Sequence, residues 1–250
     1  MRQTIDDAAI PAATLILVRD RAGAPPDLLM VERAAGMAFA AGALVFPGGR
    51  IDDADRALAA RTGADPAAVA AVRETIEETA IPAALDPLPD SQSAQALQDA
   101  LIADAPFAGL LDEAGLAIDH QALVPFARWL PKFHAVRRFD TLFYVTRAPA
   151  GAWQPRVIEG ECAGAHWLSA EAALQREADG TARLIFPTRR TLERLALHRD
   201  FEAITKDAKA HAIAPISPWV EEHGGERFIT IAAGIGFPVT QEKLDDQWRG

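Results

Sequence analysis

The run "RETIEETAI" contains three glutamates, Glu74, Glu77 and Glu78, within a span of five positions. In an α-helix, residues three and four positions apart are neighbours, so these carboxylates would share one face. Like charges at this spacing repel one another, and Arg73 is the one adjacent cation. Carboxylate oxygens are the ligands that Mg²⁺ and Mn²⁺ prefer. The pattern therefore indicates either the solvent-exposed face of a helix or a site that holds a divalent cation.

The helix that must position these glutamates has clear sequence limits. Asp65 can cap its beginning, Pro66 suits the first helical position, and Pro82 prevents extension beyond Ile81. The apolar residues opposite the glutamates, which we expect to face the core, are Val69, Val72 and Ile76.

Short apolar runs before this helix predict strands. "ATLILVRD" and "DLLMVER" are separated by the Gly- and Pro-containing "RAGAPP", which is typical of a turn between two strands. A third strand is predicted in "GALVF", ending at the "FPGG" sequence. We interpret Gly48 and Gly49 as a turn, at which the backbone can approach a ligand or a metal closely.

A strand, a GG turn and a helix with R-E-x-x-E-E together resemble the Nudix hydrolases, whose box reads G-x5-E-x7-R-E-U-x-E-E-x-G-U with U aliphatic. The matching residues are Gly49, Arg73, Glu74, Glu77, Glu78 and Ile81. The resemblance implies an α+β fold, an α/β/α sandwich with a mixed β-sheet and a catalytic helix. It also implies a divalent-metal-dependent hydrolase that acts on a diphosphate linkage.

The sequence departs from the usual box at several positions. Gly49 and Arg73 lie 24 positions apart, which corresponds to an insertion of about ten residues. The middle glutamate of the box has no clear counterpart, and Asp55 is the best candidate by position. Thr75 replaces an aliphatic residue, and Ala80 replaces the glycine after the glutamates.

The segment before the box suggests the substrate. "LMVERAAGMAFAAGALVFPGG" resembles the motif LLTxR(S/A)x3Rx3Gx3FPGG of Nudix coenzyme A diphosphatases, most closely the peroxisomal-type branch with an inserted box. The residues at the expected spacings are Arg33, Ala34, Gly42 and Phe46. Ala38 replaces the second arginine of the motif. The resemblance thus implies coenzyme A or an acyl-CoA as substrate, with a nucleotide sugar or dinucleotide, or a non-catalytic binding module, as alternatives.

Roles for the box residues also follow from the resemblance. Glu77 and Glu78 would hold Mg²⁺ or Mn²⁺ together with the carbonyl of Gly49. Glu74 would be a further ligand or the base that takes a proton from water, and the sequence leaves both roles open. Arg73 would orient the glutamates by charge-assisted hydrogen bonds.

Further candidates lie outside the box. The residues considered for substrate binding are Arg33, Gly48, Arg137 and Arg138, and the arginines among them have a solvent-exposed role as their alternative. Glu159 and Glu161 lie on a loop before a predicted strand, where they are either an extra acidic site or plain surface residues.

The rest of the chain predicts one domain over residues 1–250. A helical insertion at about 83–122 contains "SQSAQALQDALIAD" and "AGLLDEAGLA". Strands are predicted in "LVPFARWL", "DTLFYVTR" and "AGAHWLS", and helices in "SAEAALQREADG" and "PTRRTLERLALHRD". A C-terminal extension of about 200–250 contains one more predicted strand, "ERFITI".

Composition excludes several classes of partner. A net charge of -10 disfavours binding to nucleic acid, and no apolar run approaches the roughly 18 residues of a membrane span. The single cysteine, Cys162, is typical of a reducing compartment, so we expect a cytoplasmic protein. The expected partner is a small diphosphate molecule, and the oligomeric state stays open between a monomer and a homodimer.

Overall fold

The computed structural model describes residues 9–34, 36, 40–131, 138–158, 160 and 162–244. Within these residues the chain forms thirteen strands and seven α-helices. The strands are β1 (Ile10–Arg21), β2 (Ala24–Arg33), β3 (Leu44–Val45), β4 (Gly48–Arg50), β5 (Leu85–Asp86), β6 (Ala117–Ile118), β7 (Val124–Trp129), β8 (Phe139–Arg147), β9 (Cys162–Ser169), β10 (Pro215–Ile216), β11 (Trp219–His223), β12 (Glu226–Thr230) and β13 (Gln241–Lys243). The helices are α1 (Asp53–Thr62), α2 (Pro66–Thr79), α3 (Ser91–Ile102), α4 (Phe107–Ala114), α5 (Ala170–Ala178), α6 (Phe186–Leu195) and α7 (Phe201–Ala210).

Strand β1 is the centre of a mixed eight-stranded sheet. It pairs in parallel with β8 from Ile10 to Val18, and on its other edge it pairs antiparallel with β4 and then with β2. The order of the longest path is β10-β7-β8-β1-β2-β3, and β9 pairs with β2. The mixed sheet confirms the predicted α+β class.

Helices cover both faces of this sheet. Along β1, Leu15 and Leu17 pack in one apolar cluster, whereas Ile16 and Val18 pack in another, because successive side chains of a strand point to opposite faces. The first cluster includes residues of α1 to α4, and the second includes residues of α5 to α7. The three layers confirm the predicted α/β/α sandwich.

Helix α2 carries the three glutamates, as the sequence predicts. The Asp65 side chain accepts a hydrogen bond from the Ala67 amide, and Pro66 lies in the first turn. Thr79 is the last helical residue, and Ala80 follows it with φ of 56°, in the left-handed region. Residues Val69, Val72 and Ile76 are fully buried, which confirms the predicted core face.

One local prediction is wrong. Gly48 and Gly49 belong to β4 and do not form a turn, because the chain there is extended and pairs with Ala12 to Thr14 of β1. The segment between Gly49 and Arg73 contains helix α1, which was not predicted from the sequence.

The later elements agree in most places with the sequence. Helices are confirmed in 91–104 and 108–117, and the strands and helices predicted between 123 and 200 are present. Helix α7 and five strands, β5, β6, β10, β11 and β13, were not predicted. Strands β5 and β6 pair within the predicted helical insertion, and β11 and β13 flank β12 in a separate three-stranded sheet. Among the described residues, no helix has the length and apolar character needed to span a membrane.

Candidate active site

Strand β4 lies directly against the acidic face of α2. The amide of Gly48 donates a hydrogen bond to Oε2 of Glu78 at 3.1 Å. A β-carbon on Gly49 would lie 2.3 Å from the Glu74 carboxylate, and one on Gly48 would lie 2.3 Å from the backbone oxygen of Ala13. Gly48 therefore needs glycine because the backbone of β1 lies against it, and Gly49 leaves the space that the end of the Glu74 side chain occupies.

The guanidinium of Arg73 lies close to several acidic groups. It donates to both carboxylate oxygens of Asp55, at 2.9 and 3.0 Å, and to the backbone oxygen of Arg50 at 3.1 Å. Its two terminal nitrogens also lie 3.0 Å from a Glu74 oxygen and 3.1 Å from a Glu77 oxygen. Asp52 is a more distant partner at 3.7 Å. One guanidinium thus meets four carboxylates, so negative charge is in excess around it.

Burial and these charges shift the protonation equilibria of the cluster. Burial raises the pKa of the Glu74 carboxyl to about 7; the charge of Arg73 opposes the rise, and that of Glu77 adds to it. Burial also raises the pKa of Asp55, with hydrogen bonds from Arg73 limiting the effect. Burial alone would lower the pKa of Arg73, but Asp55 and Glu74 raise it above its ordinary value. The guanidinium therefore remains charged.

The side chain of Asp55 has two structural roles, in the cap of α1 and in the pairing with Arg73. It is 1% exposed, accepts a hydrogen bond from the Asp52 amide, and completes a reciprocal cap at the start of α1. The same carboxylate binds Arg73 in a bidentate manner. Helix α1 thus places the buried negative charge of Asp55 next to the guanidinium.

Side chains from other elements hold both ends of α2. Tyr144 of β8 donates to Oδ2 of Asp65, the capping residue, at 2.8 Å. At the other end, the side chain of Gln98 donates to the backbone oxygen of Glu77 at 3.0 Å. Sequence reasoning missed Tyr144 and Gln98, since neither lies in a local pattern and both act across the fold.

The donor chemistry around α2 suits a hard divalent cation. The available groups are carboxylates and backbone carbonyls, which Mg²⁺ and Mn²⁺ prefer, with no imidazole or thiolate among the predicted ligands. Across the part of the chain that the structure describes, no three His, Cys, Asp or Glu side chains converge as a metal site. In this arrangement Glu74 and Glu77 face Arg73, while Glu78 accepts from Gly48.

Two of the predicted substrate-binding residues lie at the same end of the sheet as Gly48 and Gly49. Arg33 ends β2, and its amide donates to the backbone oxygen of Ala43. The backbone oxygen of Arg138 accepts from the amide of Ile10, where β1 begins. Four other residues of interest, Ala38, Arg137, Glu159 and Glu161, lie outside the described residues.

The chain is similar to several solved structures. A NUDIX hydrolase from Alicyclobacillus acidocaldarius has 30% identity and a TM-score of 0.68, over 81% of this chain and 97% of that chain. A MutT NUDIX hydrolase from Burkholderia pseudomallei has 17% identity and a TM-score of 0.42, over 74% and 97%. The NUDIX domain of Shewanella oneidensis NrtR, complexed with ADP ribose, has 14% identity and a TM-score of 0.43, over 77% and 90%.

No protein-family model and no curated protein matches the chain. The assignment rests on the Alicyclobacillus acidocaldarius hydrolase, whose sequence this chain matches at 30% identity over almost the whole length of that protein. The chain belongs to the Nudix hydrolase superfamily.

Proposed function

We propose that the protein is a Mg²⁺- or Mn²⁺-dependent hydrolase that cleaves a diphosphate linkage by attack of water on phosphorus. The observation that carries this proposal is the cluster of four carboxylates around the guanidinium of Arg73, with Glu74 and Glu77 from α2 and with Asp52 and Asp55 from the start of α1. Excess negative charge of this kind favours a cation, and membership of a hydrolase superfamily supports a catalytic use for it.

Each residue has a distinct proposed role. Glu77 and Glu78 would hold the cation, with the carbonyl of Gly49. When bound, a divalent cation neutralises charge on the diphosphate and promotes deprotonation of water. Glu74 either adds a ligand or accepts the proton from the attacking water, at a carboxylate held 3.0 Å from Arg73. Arg73 is held by Asp55 and orients the acidic side chains. We do not propose that Arg73 contacts the substrate.

We propose coenzyme A or an acyl-CoA as the substrate. The spacing of Arg33, Gly42 and Phe46 before β4 supports this choice. Arg33, Gly48 and Arg138 lie at one end of the sheet. We propose that they contact the substrate there, because a guanidinium pairs well with a phosphate. The single cysteine, Cys162, is buried, which is consistent with the reducing cytoplasm that we propose as the location.

A second candidate is a diphosphatase that acts on a nucleotide sugar or a dinucleotide. The observation in its favour is Ala38, which stands where the coenzyme A motif has a second arginine. Loss of one cationic contact would weaken recognition of the additional phosphate of coenzyme A.

The test is a substrate panel with identified products. Purified protein is incubated with Mg²⁺ or Mn²⁺ and with coenzyme A, acyl-CoA, NADH, ADP-ribose, nucleotide sugars and nucleoside triphosphates, and products are identified by mass. We expect 3′-phosphoadenosine 5′-phosphate from coenzyme A. In ¹⁸O-labelled water, one labelled oxygen should enter one of the two phosphate products, because water is the nucleophile.

Matched variants distinguish loss of the proposed site from a general loss of folded protein. Glu78→Gln should abolish turnover, whereas Glu113→Gln, an exposed position on α4, should leave it unchanged. Turnover restricted to nucleotide sugars or dinucleotides would select the second candidate. Lack of turnover of every compound with both metals would exclude the hydrolase and leave a Nudix-fold binding module.

A further inference from the structure

The side chain of Gln98 connects three parts of the fold. Gln98 belongs to α3 and is 0% exposed. Its amide nitrogen donates to the backbone oxygens of Glu77, at 3.0 Å, and of Arg156, at 2.8 Å. Its oxygen accepts from Nη1 of Arg156 at 3.0 Å. Both hydrogens of the amide nitrogen are therefore used, and the carbonyl oxygen is used as well.

The Glu77 carbonyl needs a partner of this kind. The last four carbonyls of a helix have no partner within the helix, and α2 ends at Thr79. Residues Thr79, Ala80 and Ile81 are buried, so solvent has poor access to this end. The Thr79 carbonyl is satisfied in a similar way, by the backbone amide of Arg156 at 2.8 Å. Gln98 and Arg156 thus cap the C-terminal end of α2 from outside the helix.

The same end carries the proposed cation ligands. Glu77 supplies the carbonyl that Gln98 binds, and its side chain lies on the acidic face beside that of Glu78. Arg156 is itself held by Asp99, the residue after Gln98, through a contact of 2.7 Å. Helix α3 and the segment before β9 therefore restrain the last turn of α2 together.

We propose that Gln98 is a positioning residue for the hydrolysis: by holding the Glu77 carbonyl, it fixes the last turn of α2 and with it the carboxylates of Glu77 and Glu78. This inference rests on the proposed function. It assigns a task in the reaction to α3, which lies outside the Nudix box. A purely structural role for Gln98 would change the free energy of unfolding and leave the folded site unaltered.

Three variants test the inference. Gln98→Met keeps the volume and removes the hydrogen bonds, and Gln98→Glu keeps an acceptor for Arg156 but cannot donate to the Glu77 carbonyl. Gln95→Met is the matched control, because the Gln95 side chain is exposed on the same helix. The measurements are kcat and KM, the Mn²⁺ dissociation constant without substrate, and amide hydrogen exchange of residues 74–81.

For Gln98→Met and Gln98→Glu we expect kcat to fall about tenfold and the Mn²⁺ dissociation constant to rise about tenfold, as for other residues that support metal ligands. KM should change less than about twofold, since substrate contacts are unaltered. Exchange should accelerate in residues 74–81, and Gln95→Met should match the wild type in every measurement.

The inference is overturned when both Gln98 variants fold and keep the wild-type kcat, Mn²⁺ affinity and exchange. The failure of the proposed function is a separate result, in which the wild type turns over no diphosphate. The Mn²⁺ and exchange measurements then decide alone: unchanged values overturn a positioning role, and weaker Mn²⁺ binding with faster exchange supports it. Gln98→Glu serves as the informative variant when Gln98→Met does not fold.

Discussion

The two parallel hydrogen bonds between Arg73 and Asp55 set the charge balance of the acidic cluster. Asp55 is buried in α1, and its carboxylate has the guanidinium as its cationic partner. A planar guanidinium can make both bonds while it also reaches Glu74 and Glu77, whereas an ammonium group is a single point charge. The pair is therefore a condition for placing the glutamates, and it can be tested separately from catalysis.

We expect Arg73→Met to lower the free energy of unfolding by about 3 kcal/mol, because it leaves the buried Asp55 carboxylate without its partner. Asp55→Asn combined with Arg73→Met should recover part of this loss, since both charges are then removed. Urea unfolding of the two single variants and the double variant gives the coupling energy. Additive effects would show that the pair contributes no interaction energy.

The two glycines of β4 predict different phenotypes. An alanine side chain at Gly48 would meet the backbone of Ala13 and Thr14, so the strand must move, whereas at Gly49 it would meet the end of the Glu74 side chain, which can rotate away. Gly48→Ala should destabilise the protein by about 2 kcal/mol, in the range of overpacking. Gly49→Ala should cost less than about 1 kcal/mol but lower kcat about tenfold or more, because Glu74 is displaced. Thermal unfolding and kinetics on both variants would contradict this if the two behaved alike.

Among the elements, α2 has an unusual end. Ala80 takes φ of 56°, a left-handed conformation that costs a residue with a β-carbon roughly 1–2 kcal/mol. Glycine is the usual residue at such a position. The structure thus explains the departure of Ala80 from the box pattern as a tolerated local strain, compensated by the contacts of Gln98 and Arg156 at the same end.

Ala80→Gly should raise the free energy of unfolding by about 1 kcal/mol, because it relieves this strain. The matched control is Ala57→Gly, an exposed interior position of α1, which should lower it by roughly 0.5–1 kcal/mol. Urea denaturation measures both variants. A loss of stability in Ala80→Gly would show that the methyl group contributes more through packing than it costs in backbone strain.

Local signals decided which elements the sequence predicted. Asp65, Pro66 and Pro82 define α2, and the apolar runs define β1, β2 and β8. Strand β4 was missed because its pairing depends on β1, more than 30 residues away. Helix α1 had a local signal, the spacing of Asp52 and Asp55, which matches a reciprocal cap.

In the candidate site, too, the local patterns were predictable and the long-range contacts were not. Helical periodicity predicts a shared face for Glu74, Glu77 and Glu78; in the structure Glu74 and Glu77 lie against Arg73, and Glu78 accepts a hydrogen bond from Gly48. The contacts of Tyr144 and Gln98 were not predictable, because a tertiary hydrogen bond between distant segments leaves no periodic pattern.

At the scale of the whole molecule, cation binding should appear as stability. A ligand that binds only the folded state stabilises it by about 2.7 kcal/mol at a concentration one hundred times its dissociation constant. For a chain of this size that corresponds to an increase in Tm of about 5 °C or more. Mn²⁺ or Mg²⁺ should produce this shift, and EDTA should reverse it.

The controls for this measurement are one variant inside the proposed cation site and one variant outside it. Glu78→Gln should lose most of the shift, and Glu113→Gln should keep it. An equal shift in both variants would place the cation elsewhere on a protein of net charge -10.

Helix α1 has a consequence for how this chain could have acquired its long box. Asp55 follows Gly49 at the spacing of the middle box glutamate, so the roughly ten extra residues lie between Asp55 and Arg73. The carboxylate that caps α1 and binds the guanidinium therefore precedes the added residues. In evolutionary terms, a shortened descendant would lose the added residues and keep the pair of Asp55 and Arg73.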